Sequence, residues 1–204
     1  LGVARQMVIL GQFEISAALD VFNAANNLPD MLFMLISGGA LAIAFIPVLS
    51  EVLSKEGRSK AWDLFSNILN IAFLFTAIAA VVIAIFARPL VTSQLGIAPG
   101  FSPAQTVDTI RLLRLNLIST LIFSLSGLAM AGLQANQHFL LPALAPILYD
   151  LGQIFGALVL APTEPLKLGP ISLPAMGFGV DGLVYGVIIG ALLHLLIQVP
   201  GLIK

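Results

Sequence analysis

The sequence contains no cysteine, which excludes disulfide bonds, thiolate metal sites and thiol catalysis. It also contains few charges: 9% of its 204 residues are charged, whereas soluble domains carry roughly 25%. Hydrophobic residues make up 59% of the chain. We therefore predict an all-α integral membrane protein, a polytopic bundle of apolar helices.

Other absences narrow the function. The chain has no Gly-rich phosphate loop, no dinucleotide-binding fingerprint and no zinc-ligand spacing, and no nucleophile can be matched with a base. We therefore predict no enzyme activity, no metal site and no cofactor. The formal net charge is −1 and no basic stripe is present, which argues against nucleic acid as a partner.

The stretch from Leu19 to Leu53 (LDVFNAANNLPDMLFMLISGGALAIAFIPVLSEVL) organises the chain. Its part from Met31 to Leu49 is uncharged and typical of a helix embedded in the bilayer. The part before it carries five polar side chains, which fall within an arc of roughly 120° at about 100° per residue. These are Asp20, Asn23, Asn26, Asn27 and Asp30. One face of a long membrane helix is therefore predicted to be polar.

Two interpretations of this polar face are open. Placing ionisable groups at membrane depth is energetically costly. The face therefore either lines a water-filled cavity or forms hydrogen bonds to neighbouring helices in a dry bundle. We favour the cavity, because five polar groups are many to satisfy in a dry core. The candidate substrate-binding residues on this face are Asp20, Asn23, Asn27 and Asp30.

The same stretch contains three predicted hinge residues. Pro29 removes a backbone hydrogen bond inside the polar run, so a kink is expected there. Gly38 and Gly39 are expected to provide a second flexible position in the helix or a close contact with another helix. A long, broken helix with one wet face is typical of transporters.

We predict about six transmembrane helices, the first one truncated, because the chain begins without Met in an apolar run too short to span a bilayer. Their expected ranges are 1–12, 19–53, 61–88, 103–133, 139–161 and 182–199. Residues 102–105 (Ser-Pro-Ala-Gln) have the pattern of a helix capping box. Residues 162–181 are rich in Pro and Gly and are predicted to form a loop. Glycines at 152 and 156, and at 182, 186 and 190, predict close helix contacts.

Three further charged residues are candidates for the cavity. Arg111 can pair with Asp108, three residues earlier on the same helix face. Arg111 and Arg114 either lie at the membrane interface near a helix end, or one of them points into the cavity toward an anion. Asp150 is a lone acid that either faces the cavity or lies within the bundle.

Several motifs follow one another along the chain. GVARQ lies near the start, LDVFNAANNLPDMLFMLISGGALAIAFIPVLSE follows it, and APGF, LPALAPILYDLG and GVIIGALLHLLIQVPGL come downstream. In this order and at this spacing, they resemble the MurJ/MviN family of lipid II flippases, part of the MOP exporter superfamily. The resemblance covers essentially the whole chain.

The resemblance implies two helical lobes around a central cavity, with residues 1–204 forming the N-terminal lobe. It implies transport of the lipid-linked peptidoglycan precursor lipid II between the leaflets of the bacterial plasma (inner) membrane, for cell-wall synthesis. The implied partners are that lipid-linked precursor, the membrane lipids and the C-terminal lobe of the same protein.

The resemblance also assigns residues. Arg5 matches the family's first-helix arginine, expected to contact the substrate diphosphate, and Asp20 matches the acid that opens the second helix. Gln6 stands where the family often has Asp. Phe33 and Met34 stand where many members have two arginines.

These departures leave alternatives open. Arg111 and Arg114 could compensate for the two missing cations of the cavity. The protein could instead be a related exporter that moves another lipid-linked glycan or a drug. It could also be a membrane scaffold that transports nothing.

Overall fold

The computed structural model describes residues 1–14, 16–36, 40–168 and 171–203. The helices within these ranges are α1 Gly2–Phe13, α2 Ala17–Ile36, α3 Ala40–Glu56, α4 Arg58–Thr92, α5 Pro103–Ala135, α6 Leu140–Phe155, α7 Val180–Leu196 and α8 Val199–Ile203. Helix α6 continues as a π-helical turn over Gly156–Leu160. Strands β1 (Leu166–Leu168) and β2 (Ile171–Leu173) pair in antiparallel between α6 and α7, with Leu166 opposite Leu173.

Helix α5 is the centre of the bundle. Within its most apolar segment 67% of the residues are buried, against 17% for α4. Helices α2, α3, α4 and α7 all pack on α5. Buried side chains around Leu112 and Leu113 join α5 to α1, α2, α4 and α7, and a second core around Leu128 joins it to α3 and α4. Helix α5 is therefore the framework on which the other helices are positioned.

Helix α4 lies on the outside of the bundle. Its exposed side chains are large and apolar over much of its length: Ile71, Leu74, Phe75, Ile78, Val81, Val82, Ile85 and Phe86. A continuous exposed apolar surface of this kind is what a helix presents to lipid. Among the described residues, α4, α5, α6 with its π-helical turn, and α7 with α8 are the four segments long and apolar enough to cross a membrane. The predicted all-α polytopic membrane fold is confirmed.

Helices α6 and α7 approach each other through their glycines. A Cβ atom on Gly152 would lie 2.5 Å from the backbone nitrogen of Gly190, and one on Gly186 would lie 2.7 Å from the Cα of Gly156. The two backbones therefore touch where the small residues face one another, which confirms the close contact predicted from the glycine spacing.

The start of α5 has the capping box that was predicted from residues 102–105. The backbone nitrogen of Gln105 donates to Ser102 Oγ at 3.3 Å, and the backbone nitrogen of Ser102 donates to Gln105 Oε1 at 3.1 Å. This reciprocal pair is the predicted capping box, with Pro103 at the first helical position. The predicted pair of Asp108 and Arg111 is also present, at 3.2 Å.

The predicted helix over residues 19–53 corresponds to α2 and α3. Gly38 and Gly39, two of the predicted hinge residues, lie outside the described residues. Pro29 lies inside α2, which continues as helix on both sides of it. The role of Pro29 as a hinge therefore stays a prediction.

Most boundaries differ by a few residues from the predicted ranges, and two of the differences have a structural reason. Helix α4 runs to Thr92, about one turn past the end predicted at 88. Ala87 and Val91 are fully buried on either side of Pro89, and their packing offsets the helix-breaking effect of that proline. The predicted loop 162–181 contains the hairpin of β1 and β2, whose sequence signal is apolar–polar–apolar alternation in each strand.

Candidate functional site

A polar cavity of about 590 Å³ lies between α1, α2, α5, α6 and α7. All five helices contribute to its polar lining, which consists of Arg5, Gln6, Asn23, Asn26, Asp30, Ser119, Thr120, Tyr149, Gln153 and His194. Apolar side chains, including Phe33, Met34 and Phe123, complete the wall. A cavity with this many hydrogen-bonding groups inside a membrane bundle suits water or a polar headgroup rather than lipid tails.

Arg5 is held in this cavity by an ion pair. Its Nη1 donates to Asp150 Oδ1 at 3.0 Å, which joins α1 to α6. The Arg5 side chain is 28% exposed and that of Asp150 is 15% exposed. The Nε of Arg5 is buried and has no hydrogen-bond partner in the described part of the chain. The guanidinium is thus anchored at one nitrogen and retains other donors for an anionic ligand.

The cavity wall as a whole carries mixed charge. Arg5 is the one lysine or arginine among the described residues that line it, and Asp30 lies close enough to interact electrostatically with Arg5. With Asp150 bound to the same guanidinium, two carboxylates surround one cation. This part of the chain therefore offers one directional anion contact rather than a broadly positive surface.

Buried amides connect α2 to α5 at the cavity. Asn116, which is 1% exposed, donates from Nδ2 to Asn26 Oδ1. Ser119 Oγ lies 2.7 Å from both the backbone oxygen and the Oδ1 of Asn116. Asn116 is therefore satisfied on two sides, and the linkage fixes the rotation of α2 so that Asn26 faces the cavity.

Replacing Asn116 with alanine is expected to destabilise the protein by about 1–3 kcal/mol, because Asn26 loses its donor and the amide that links α2 to α5 is removed. Ser119 keeps the backbone oxygen of residue 116 as an acceptor. Thermal unfolding of the purified full-length protein measures the loss. Asn70→Ala is the matched control, since Asn70 is an exposed amide on α4. Equal melting temperatures for the two variants would contradict the Asn116 linkage.

The eight candidate binding residues divide by position. Arg5, Asn23 and Asp30 line the cavity. Asp150 is not among the lining residues of the described chain but bonds to Arg5. Asp20 and Asn27 are exposed and lie outside the lining, since they point about 100° or more around α2 from Asn26. Arg111 and Arg114 lie elsewhere.

Arg111 and Arg114 line a second groove, of about 760 Å³, between α4, α5 and α7. Arg111 Nη1 donates to both carboxylate oxygens of Asp181 at 2.7 and 2.6 Å, and Arg111 Nη2 donates to Asp108 at 3.2 Å. Arg114 Nε donates to the backbone oxygen of Ala84 at 2.9 Å. Both arginines thus lie on the α4 side of the bundle, near the start of α5, and not in the cavity.

Several residues that line the cavity were not predicted from the sequence. Asn26 lies in the predicted polar arc of α2 but was not among the candidates. Ser119, Thr120, Gln153 and His194 also line the cavity. The sequence indicates only weakly that these residues face a cavity. Small polar side chains within apolar helices often form hydrogen bonds to backbone groups of their own helix instead.

Comparison with known proteins agrees with this architecture. The profile of the lipid II flippase MurJ matches residues 10–204. The chain belongs to the MurJ family. It is 30% identical to a lipid II flippase MurJ of Burkholderia cenocepacia over 206 residues, and 29% identical to a probable lipid II flippase MurJ of Buchnera aphidicola over 206 residues. These alignments cover the whole of this chain and 37% of each relative. A MurJ of Thermosipho africanus is 29% identical over 179 residues, covering 87% of this chain and 35% of that protein.

The chain therefore spans about 37% of the length of the first two MurJ relatives. Family membership together with the four apolar segments makes it part of a multi-pass membrane protein.

Proposed function

We propose that this chain is the N-terminal lobe of a transporter that flips lipid II across the bacterial inner membrane for cell-wall synthesis. Two observations carry the proposal: the MurJ profile matches residues 10–204, and Arg5 lines a polar cavity of about 590 Å³. A diphosphate is the headgroup element that a guanidinium with free donors binds best. The protein acts as a transporter, not as an enzyme.

The physical problem in this reaction is a large polar headgroup that must cross an apolar core. A watered cavity lets the headgroup cross while the polyprenyl tail stays in lipid. The C-terminal lobe of the full-length protein supplies the opposite wall, and rocking of one lobe against the other opens the cavity alternately to each side. The membrane lipids surround α4, whose exposed side is apolar.

Within this cavity we assign Arg5 to the diphosphate, and Asn23 and Asp30 to polar groups of the headgroup. Asp150 orients Arg5 through their ion pair. Asp20 and Asn27 lie at the edge of the same face of α2, and we assign them to contacts that form once the second lobe closes the cavity. Arg111 and Arg114 are not part of the assigned site, since they line the groove against α4.

Complementation tests the proposal. The full-length protein is expressed in a bacterium depleted of its own lipid II flippase, and growth and the lipid II exposed on the outer leaflet are measured. Rescue to near the level given by the restored native flippase is the expected result. No rescue by a protein that is abundant in the membrane would contradict the assignment of lipid II as cargo.

A second cargo class has one observation in its favour. Phe33 and Met34 line the same cavity as Arg5, and Phe33 packs on Phe123 with ring centroids 4.6 Å apart. This apolar wall suits an amphipathic cargo with less charge, such as another lipid-linked glycan or a drug. Failed complementation combined with drug or glycolipid transport would support that reading.

A further inference from the structure

A buried polar cluster lies between α5 and α7, at the edge of the cavity. Gln198 Nε2 donates to the backbone oxygen of His194 at 2.7 Å and to Ser126 Oγ at 2.8 Å. Ser126 Oγ lies 2.6 Å from His194 Nδ1. Their exposed fractions are 0% for Ser126, 4% for His194 and 0% for Gln198. Three polar side chains are thus buried together in an apolar bundle, where each hydrogen bond has to be accounted for.

The backbone contact determines the orientation of the Gln198 amide. If its nitrogen and oxygen were exchanged, two acceptors would lie 2.7 Å apart at the His194 carbonyl. The amide nitrogen therefore faces the carbonyl, and its second proton points to Ser126 Oγ. Gln198 Oε1 is left buried and without a hydrogen-bond partner in the described part of the chain, which the opposite orientation would not improve.

The protonation of His194 follows from the same reasoning. Ser126 Oγ already accepts a proton from Gln198, so its own hydroxyl proton is free to go to His194 Nδ1. If Nδ1 carried a proton instead, its N–H and the amide proton of Gln198 would both point at Ser126 Oγ. The two donor nitrogens, Nδ1 and Gln198 Nε2, would then face each other at 3.2 Å, which is unfavourable. Nδ1 is thus the acceptor, and in the neutral ring the proton is on Nε2.

The ring of His194 borders the cavity. His194 is one of the cavity-lining residues, and its ring packs edge-on against Phe123 with centroids 5.4 Å apart. No group among the described residues forms a hydrogen bond to His194 Nε2, which contrasts with the three contacts around Nδ1 and the His194 carbonyl. The ring is therefore held at Nδ1, whereas Nε2 has no hydrogen-bond partner among the described residues.

We propose that Ser126 and Gln198 are positioning residues that hold neutral His194 in the Nε2–H tautomer, so that it presents a fixed hydrogen-bond donor to the cargo. The cargo group is a neutral acceptor oxygen, a hydroxyl or an amide carbonyl of the glycan or peptide headgroup, since Arg5 is the donor for anionic oxygens. This contact rests on the proposed function, whereas the tautomer does not. A donor held by two neighbours requires no reorganisation when cargo arrives.

The tautomer is tested by ¹⁵N NMR of the full-length protein, labelled at histidine and reconstituted in lipid nanodiscs. The His194 signals are assigned by their disappearance in His194→Gln. The expected result is an unprotonated Nδ1 and a protonated Nε2. Ser126→Ala is expected to mix the tautomers. Ser124→Ala is the matched control, because Ser124 is a buried serine of α5 that donates to the Leu121 carbonyl, and it should change nothing. A protonated Nδ1 in the unmodified protein would overturn the proposal.

The cargo contact is tested in the complementation strain. His194→Gln keeps an N–H donor at a similar reach, whereas His194→Met keeps the bulk and removes the donor. At equal membrane abundance we expect the Gln variant to expose lipid II within twofold of the unmodified protein, and the Met variant to expose about 3- to 10-fold less. Equal values for the two variants would overturn the cargo contact.

If the unmodified protein fails to complement, lipid II is excluded as the cargo and the contact is overturned with the proposed function. The NMR result decides the tautomer in either case.

Discussion

Replacing Arg5 with methionine in the full-length protein is expected to abolish rescue of flippase-depleted cells. Two effects contribute. The cavity loses its one lysine or arginine among the described lining residues, and Asp150, 15% exposed, loses the partner that neutralises it. Removing one member of a largely buried pair costs about 1–3 kcal/mol here, at the lower end for ion pairs because Arg5 is partly exposed.

A double variant separates these two effects. Arg5→Met with Asp150→Leu removes both charges together, so we expect the melting temperature to return close to that of the unmodified protein. Transport should stay lost, because no lysine or arginine for the diphosphate remains among the described residues that line the cavity. Recovery of both stability and transport in the double variant would show that Arg5 serves only to hold α1 against α6.

A surface pair provides the control for these charge changes. Lys55 and Glu51 are bonded at 2.7 Å on α3, but their side chains are 71% and 63% exposed. Glu51→Gln is therefore expected to leave both melting temperature and rescue unchanged, since exposed pairs contribute little.

Replacing Gly152 with alanine is expected to disrupt the packing of α6 on α7. The added Cβ would lie 2.5 Å from the backbone nitrogen of Gly190 and 3.2 Å from the backbone oxygen of Gly186. Backbone atoms cannot rotate away as a side chain can, so the helices must separate. The cost is expected to be at least about 3 kcal/mol, the upper end for overpacking. Because α6 carries Asp150, Tyr149 and Gln153, the cavity wall would shift as well.

Thermal unfolding and the monodisperse fraction of the purified full-length protein measure this effect. Gly11→Ala is the matched control, because among the described residues no atom beyond the adjacent backbone of α1 lies within 4 Å of a Cβ placed at Gly11. That variant should be unchanged or up to about 1 kcal/mol more stable. If Gly152→Ala and the unmodified protein have the same melting temperature, the backbones of α6 and α7 are not in close contact at Gly152 and Gly190.

Local patterns predicted the parts of this protein that depend on neighbouring residues in the chain. The low charge content predicted the membrane fold, and the arc on α2 predicted a polar face of which Asn23, Asn26 and Asp30 line the cavity. The capping box at Ser102 and the glycine contacts of α6 and α7 followed from spacing alone. These features depend on helical phase, backbone hydrogen bonding or side-chain size, which a short stretch of sequence specifies.

The sequence by itself therefore determined a membrane bundle with a polar face on α2. The tertiary structure decided what that face meets. Asp150 pairs with Arg5 from 145 residues away, and His194 bonds to Ser126 across 68 residues. Arg111 faces Asp181 in the groove beside α4, although its helical position was equally compatible with the cavity. Helical periodicity states which residues share a face, but only the packing of the helices determines which neighbour that face contacts.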